Sequence, residues 1–311
     1  MTRRPNRGAP GADPRSVLVY RALGLGDFLT GVPAYRAARR AYPDARVELA
    51  APAVLEPLAA LTGAVDRLVP TPELTTPRSE SRPDVVVNLH GRGPQSHRAL
   101  LALAADELVA FRCVDPLVEG PDWRPDEHEV SRWCRLLEES GIAADPTDLD
   151  LPPPESPSVD PGATVVHPGA AHPSRRWPAE RFAEVVRHLA DEGHRVVVTG
   201  SAGERDLTEA VAAAADLPDA AALGGRLELA ELAALVAGAR LVVCGDTGVA
   251  HLATAFGTPS VLLFGPMSPD LWGPPVDRTQ HRVVWHPEAD PALLAIEPDE
   301  VVTLAAAAAR V

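Results

Sequence analysis

Lysine is absent from this chain of 311 residues, and all 29 basic side chains are arginine. Together with 33 prolines and abundant alanine, this points to a biased genome composition more than to a chemical requirement. Positive charge is scarce overall: the formal net charge is -14. Nucleic acid, or an anionic membrane held by a broad basic surface, needs clustered positive charge, so nucleic-acid binding is excluded and membrane contact is at most peripheral. Local arginine sites stay open. Cys113, Cys134 and Cys244 are far apart and form no Cys-x-x-Cys, so the expectation is reduced thiols in a cytoplasmic protein, with no metal site. No uninterrupted apolar stretch reaches transmembrane length. Residues Met1 to Arg15 are rich in Arg, Pro and Gly without an apolar core, which predicts a disordered tail and not a signal peptide.

What is present is a 46% hydrophobic chain in which short apolar runs alternate with helical patterns, long enough for two domains. The central stretch is Val242 to Ala253, an apolar run that breaks at Gly245-Asp246-Thr247-Gly248 and resumes with helical spacing. Strand, tight loop and helix in that order leave first-turn amides and a positive dipole end facing the loop, which suits a phosphate. Thr247 and His251 lie four apart, on one helical face. An ordinary N-cap and a packed histidine remain the simpler reading of the same residues.

The first half opens with an apolar strand from Ser16 to Arg21, the loop Ala22 to Asp27 and a helix from Phe28 to about Ala41. Gly24-x-Gly26 resembles the start of a dinucleotide fingerprint, but Leu29 holds the third glycine position and no acidic residue closes the strand from Arg46 to Ala50, so NAD and FAD are excluded. Asp27 stands at the carboxyl end of the first strand, the edge where open parallel sheets bind ligands; a helix cap is its alternative. Further on, the strand Asp84 to Leu89 runs into the polar loop His90-Gly91-Arg92-Gly93-Pro94-Gln95-Ser96-His97, before a helix from Arg98 to Ala105. His90, Arg92, Gln95 and Ser96 supply side-chain donors suited to hydroxyl recognition.

A proline-rich linker follows. Its Asp148-Leu149-Asp150 matches a metal-holding Asp-x-Asp only weakly, and metal binding is not expected. The second half restarts at Thr164 to Gly169 and reaches His172-Pro173-Ser174-Arg175-Arg176-Trp177-Pro178 ahead of a helix from Ala179 to Glu192. Two guanidinium groups before a helix read as a diphosphate clamp. The expected organisation is a tail over 1–15, an acceptor-side Rossmann-like domain over 16–150, a linker over 151–162, a nucleotide-sugar domain over 163–290, and a terminal helix within 291–311 that packs on a neighbouring domain.

In this order, Leu23-Gly24-Leu25-Gly26-Asp27 with Tyr42-Pro43, Pro168-Gly169 through Pro178, and Gly245-Asp246-Thr247-Gly248 with His251-Leu252-Ala253 and Phe264-Gly265-Pro266 resemble glycosyltransferase family 9, the bacterial heptosyltransferases. The resemblance implies an α/β chain of GT-B architecture, with two facing Rossmann-like parallel-sheet domains and a cleft between them. It implies an inverting, metal-independent transfer from a nucleotide-sugar co-substrate, typically ADP-heptose, to a glycan, lipid-linked or small-molecule hydroxyl. Asp27 would then be the general base, with Gly26 beside it. Arg175, where the family usually has Lys, would contact the donor phosphates, and Asp246, Thr247, Gly248 and His251 would form the donor motif. Met267 stands where the family often has Thr. Two alternatives stay open: a GT-B-like sugar-nucleotide epimerase, which would turn over donor alone, and a non-catalytic nucleotide-sugar binding protein.

Overall fold

The computed structural model describes residues 14–308. Most of the tail expected over 1–15 lies outside the described residues, as do the last three residues. The chain divides into two compact units, Met1–Leu149 and Asp150–Val311.

In the first unit, β1 (Ser16–Tyr20), β2 (Arg46–Ala51), β3 (Arg67–Pro70), β4 (Val85–Asn88) and β5 (Glu107–Val109) form one parallel sheet in the order β3-β2-β1-β4-β5. Strands buried on both faces have no need to alternate, so β4 reads Val-Val-Val-Asn and is buried throughout. The helices are α1 (Leu25–Thr30), α2 (Val32–Ala41), α3 (Glu56–Leu61), α4 (Gln95–Leu101) and α5 (Glu129–Glu139).

The helix expected from Phe28 to Ala41 is in fact two, broken at Gly31. Pro33 lacks an N–H and its ring would press on the carbonyl four residues back, so one continuous helix is ruled out there. Gly31 also meets the Tyr35 side chain so closely that an added Cβ would lie 2.4 Å from the hydroxyl oxygen. A second difference concerns α4, which begins at Gln95 and not Arg98 because Pro94 takes the N-cap position. Gln95, Ser96 and His97 therefore belong to its first turn instead of to a loop.

The second unit repeats the plan with a different winding. Its strands β6 (Thr164–His167), β7 (Val196–Val198), β8 (Leu241–Gly245), β9 (Ser260–Leu263) and β10 (His281–Val284) are parallel in the order β10-β9-β8-β6-β7. The helices are α6 (Ala179–Asp191), α7 (Arg205–Ala214), α8 (Leu229–Ala237), α9 (Gly248–Phe256), the short α10 (Pro269–Trp272) and α11 (Pro298–Ala308). α9 ends as its sequence predicts, with Gly257 left-handed at φ 66° and the Thr258 amide donating back to the Ala253 carbonyl at 2.9 Å. In α11, Val301, Ala305 and Ala308 are buried in the core of their own unit with Val261, Leu263 and Val284. Trp177, 2% exposed, packs edge-on against Phe182 and donates its indole N–H to the Ile296 carbonyl at 3.2 Å, which fastens that terminal segment to the start of α6.

Both windings are doubly wound orders. In the first unit the chain moves outward from β1 through β2 to β3, then crosses to β4 on the other side of β1. In the second it moves from β6 to β7, then crosses to β8 on the other side of β6. Ligands bind outside the carboxyl ends of the strands where the direction switches, which singles out the β1/β4 and β6/β8 edges.

Candidate active site

At the β1/β4 edge the organising side chain lies outside the sequence motifs. Arg21 directly follows β1 and its side chain is fully buried. A buried guanidinium is tolerated only when its donors are satisfied. Its Nε donates to the Asp27 carbonyl and Nη1 to the Leu89 carbonyl. Nη2 faces Thr30 Oγ1 at 3.1 Å, Glu129 Oε1 at 2.9 Å and Asp27 Oδ1 at 3.4 Å. The guanidinium also lies over the Trp133 ring, 4.7 Å from its centre. Asp27 thus sits in the first turn of α1 beside a fixed positive charge, with 30% of its side chain still exposed. Gly26 precedes it in the same turn.

Glu129 is the second carboxylate of this cluster. It accepts from Trp133 Nε1 at 2.8 Å and pairs with Arg132 as well as Arg21. Burial alone would raise its pKa, but the two arginines and these hydrogen bonds outweigh that and hold it below the ordinary carboxylate value. Two signals in the sequence could have exposed the pair: a charge closing an apolar strand, and Glu129 and Arg132 at the helical core spacing of Trp133 and Leu136.

The segment after β4 is shaped by Asn88, which is fully buried. Its amide donates to Ser96 Oγ at 3.1 Å and lies 3.3 Å from His97 Nδ1, while its oxygen accepts from the His90 amide at 3.1 Å. His97 Nε2 donates to the Phe111 carbonyl at 2.7 Å, tying α4 to the stretch after β5. Arg98 on α4 pairs with Asp115 in that stretch at 3.0 Å. Of the residues expected to meet an acceptor, Ser96 is buried and occupied in this way, whereas Arg92 and Gln95 are exposed. His90 is half-buried with its ring 4.9 Å from that of Tyr20. Burial and the charge of Arg21 push its pKa down to about 4, so it is neutral at pH 7.

The β6/β8 edge is built differently. Thr247 takes the N-cap position of α9 with extended backbone, yet its side chain makes no cap hydrogen bond. The Ala250 amide donates to the Thr247 carbonyl at 3.0 Å, and the first-turn amides before it keep their capacity for an outside acceptor. Asp246, 5% exposed, directly follows the strand; Arg175 Nη1 lies 3.2 Å from its Oδ2, without the alignment of a hydrogen bond. Burial raises the Asp246 pKa and Arg175 opposes that rise. The Arg175 side chain is 38% exposed, so its guanidinium reaches solvent. Gly245 packs closely on the preceding loop, since a Cβ there would lie 3.1 Å from the Arg175 carbonyl oxygen, tighter than an ordinary contact. One turn along α9, His251 stands edge-on to Trp272 of α10, with ring centres 6.0 Å apart.

The two adjacent arginines have different partners. Arg176 turns away, donating from Nε to the Ala170 carbonyl at 2.9 Å and lying 3.7 Å from Glu204. The Asp-x-Asp carboxylates are likewise engaged separately: Asp148 pairs with Arg36 and Arg40 of α2 at 2.6 and 2.7 Å, and Asp150 with Arg278 at 2.6 Å. Among the described residues no group of three or more His, Cys, Asp or Glu side chains is placed to hold a metal ion, and no helix is long and apolar enough to cross a membrane. Buried Cys244 lies behind Asp246, and burial pushes its thiol well above the ordinary range.

Comparison with known proteins agrees on one family. The family model described as glycosyltransferase family 9 (heptosyltransferase) matches residues 121–295. Lipopolysaccharide heptosyltransferase 2 of Escherichia coli K12 is 27% identical, over 83% of this chain and 85% of that protein. Among solved structures, the E. coli ADP-heptose LPS heptosyltransferase II superposes with a TM-score of 0.78 at 24% identity, covering 95% of this chain and 98% of that one. The E. coli heptosyltransferase WaaC with ADP gives a TM-score of 0.72 at 20% identity, covering 94% and 99%. At these identities the structural likeness speaks for the GT-B fold.

Proposed function

The chain belongs to glycosyltransferase family 9, the heptosyltransferases, and is a glycosyltransferase; from that premise we propose that it transfers a heptose-like sugar from an ADP-sugar to an acceptor hydroxyl, with inversion and without a metal. The observation that carries the donor half is the β8–α9 junction, where an uncapped helix start lies beside a half-exposed Arg175. In this reading the amides of the Thr247 cap and of Gly248 receive a phosphate, Arg175 leaves Asp246 to pair with the diphosphate, and His251 lines the same helical face. Asp246, a carboxylate, repels phosphate; its part is to hold Arg175 ready and to accept from a hydroxyl of the donor.

Asp27 is the base. As the acceptor oxygen attacks the anomeric carbon, its proton passes to the Asp27 carboxylate, the bond from that carbon to the diphosphate breaks, and the electron pair leaves on the diphosphate oxygen. A single displacement inverts the anomeric centre. Negative charge grows on the leaving group, so the helix start and Arg175 stabilise the transition state more than the bound donor. Positive groups there take the place that a divalent ion would fill. Gly26, His90, Arg92 and Gln95 border the acceptor, a glycan of lipopolysaccharide type in the relatives' pathway, and the reaction is a cytoplasmic one.

Thermal-shift titration with ADP, UDP, GDP and dTDP, with and without EDTA, tests the donor assignment, because a ligand that binds only the folded state raises the melting temperature. The expected result is a selective, EDTA-insensitive shift with ADP. Selectivity for another diphosphate would discard the ADP-sugar, and no shift with any of them would discard the donor site. Turnover of ADP-heptose without acceptor, to an epimer, would replace transfer by epimerisation.

A further inference from the structure

The Arg21 cluster is larger than a base and its neighbour. One guanidinium reaches the first turn of α1 through the Asp27 carbonyl, the end of β4 through the Leu89 carbonyl, and α5 through Glu129. Packing alone would not require two carboxylates on the same nitrogen. Nη2 nevertheless faces Glu129 at 2.9 Å and Asp27 at 3.4 Å, with Thr30 at 3.1 Å between α1 and the guanidinium.

We propose that Arg21 is the positioning residue of Asp27, and that Glu129, by sharing the same guanidinium, sets how much of its positive charge acts on the Asp27 carboxylate. The proposal rests on the reading of Asp27 as the base. Arginine suits this place because a planar fork can serve several acceptors at once, which an ammonium on a flexible stem does less well. The surrounding groups leave the pair of carboxylates as the adjustable elements. From α5, Arg132 is already paired with Glu129. From the β4 end, His90 stays neutral near pH 7. From α2, burial keeps the Tyr35 hydroxyl protonated even though Arg21 draws the other way.

Two substitutions then act in opposite directions, which loss of packing cannot imitate. Removing the cation with Arg21→Gln leaves Asp27 without its stabilising charge, so the acid limb of the kcat/KM profile moves to higher pH. Removing the competing anion with Glu129→Gln leaves Arg21 less compensated, so the limb moves to lower pH, with a lower plateau because the base is weaker. Each displacement is expected to be about half a pH unit or more, the scale on which a neighbouring charge acts. Arg21→Lys keeps the charge and returns the limb towards its original position, with kcat still reduced by the lost geometry. KM for the donor stays within about twofold in all three.

The same titration is followed without turnover from the 13C resonance of the Asp27 carboxyl. Opposite displacements in both readouts support the proposal. Displacements of the same sign, or an unmoved carboxyl midpoint in Glu129→Gln, overturn it. If Arg21→Gln fails to fold, judged by circular dichroism, Glu129→Gln decides alone. A carboxyl midpoint that moves as expected while Asp27→Asn retains full turnover keeps the electrostatic coupling and removes Asp27 from the role of base, so the two failures are told apart.

Discussion

The two sheet edges that carry the candidate site residues solve opposite problems. At β1/β4 the buried cation and the buried amide are already engaged: the fully buried Arg21 binds acceptors from three elements, and Asn88 and His97 close the segment behind it. At β6/β8 the polar groups are held in reserve, with Thr247 leaving α9 uncapped and Arg175 exposed enough to change partners. A catalytic carboxylate gains from being fixed before the substrate arrives, since placement lost by an ångström costs rate. An anion site must instead keep donors unpaired, since each donor already satisfied inside the protein has less to give the ligand.

The largest effect that would break this contrast is Asp27→Asn. Transfer is expected to fall by about 10² to 10⁴-fold, the usual range for general-base catalysis, while the ADP thermal shift is unchanged. Donor binding lost along with turnover would erase the distinction between the edges. Next comes Arg175→Ala, which removes a charge-assisted contact of about 1.5–3 kcal/mol and so weakens ADP binding roughly ten- to a hundredfold in a calorimetric titration. Arg175→Lys recovers part of it, as the charge returns without the fork.

A smaller effect concerns His167 at the end of β6. It is 7% exposed, lies 3.0 Å from Thr199 Oγ1, and burial pushes its pKa down to about 4, with Glu204 opposing. The unfolded chain takes up a proton near 6.5 that the folded chain refuses until about 4. Stability is therefore present above 6.5 and falls as pH drops through that window, by up to roughly 1.4 kcal/mol per unit. Melting curves from pH 7.5 to 4.5 should show a steeper loss in the parent than in His167→Gln. The smallest effect is also the sharpest. Thr247→Ala should cost less stability than the ~1 kcal/mol typical of a working N-cap, because no cap bond is lost, yet ADP should bind a few-fold more weakly. A melting temperature lowered as for a true cap, with ADP affinity intact, would turn the donor residue back into a structural one.

The alternation of apolar runs and helical patterns was readable because parallel strands buried on both faces need no polar partner positions, and some strand ends carry Gly, Asp or Asn, as Asn88 does for β4 and Gly245-Asp246 for β8. Asp246 and Thr247 were visible because they follow the end of β8 directly, and Asp27 and His251 because they lie in the first turns of the helices after β1 and β8. The breaks at Gly31 and Pro94 were written in local residues and are explained by proline geometry, although the helical periodicity across Gly31 masked the first. Glu129 carries a local signal, its core spacing with Trp133 and Leu136, but its pairing with Arg21 was not readable, because 108 positions separate them and only the folding of α5 against the sheet brings them together. Nor could the separate fates of Arg175 and Arg176 be read from adjacent, identical side chains; a backbone turn sends one to Asp246 and the other to the Ala170 carbonyl. Choosing arginine at 175 carries little information in a chain without lysine.

The free cysteines offer a different kind of access. Cys134 and Cys244 are buried, with burial pushing the Cys134 thiol up to about 12, while Cys113 is partly open in the stretch that His97 fastens to α4. A maleimide dye should therefore react at one place in the native protein and report, by a change in emission, when acceptor binding moves the segment that α4 carries.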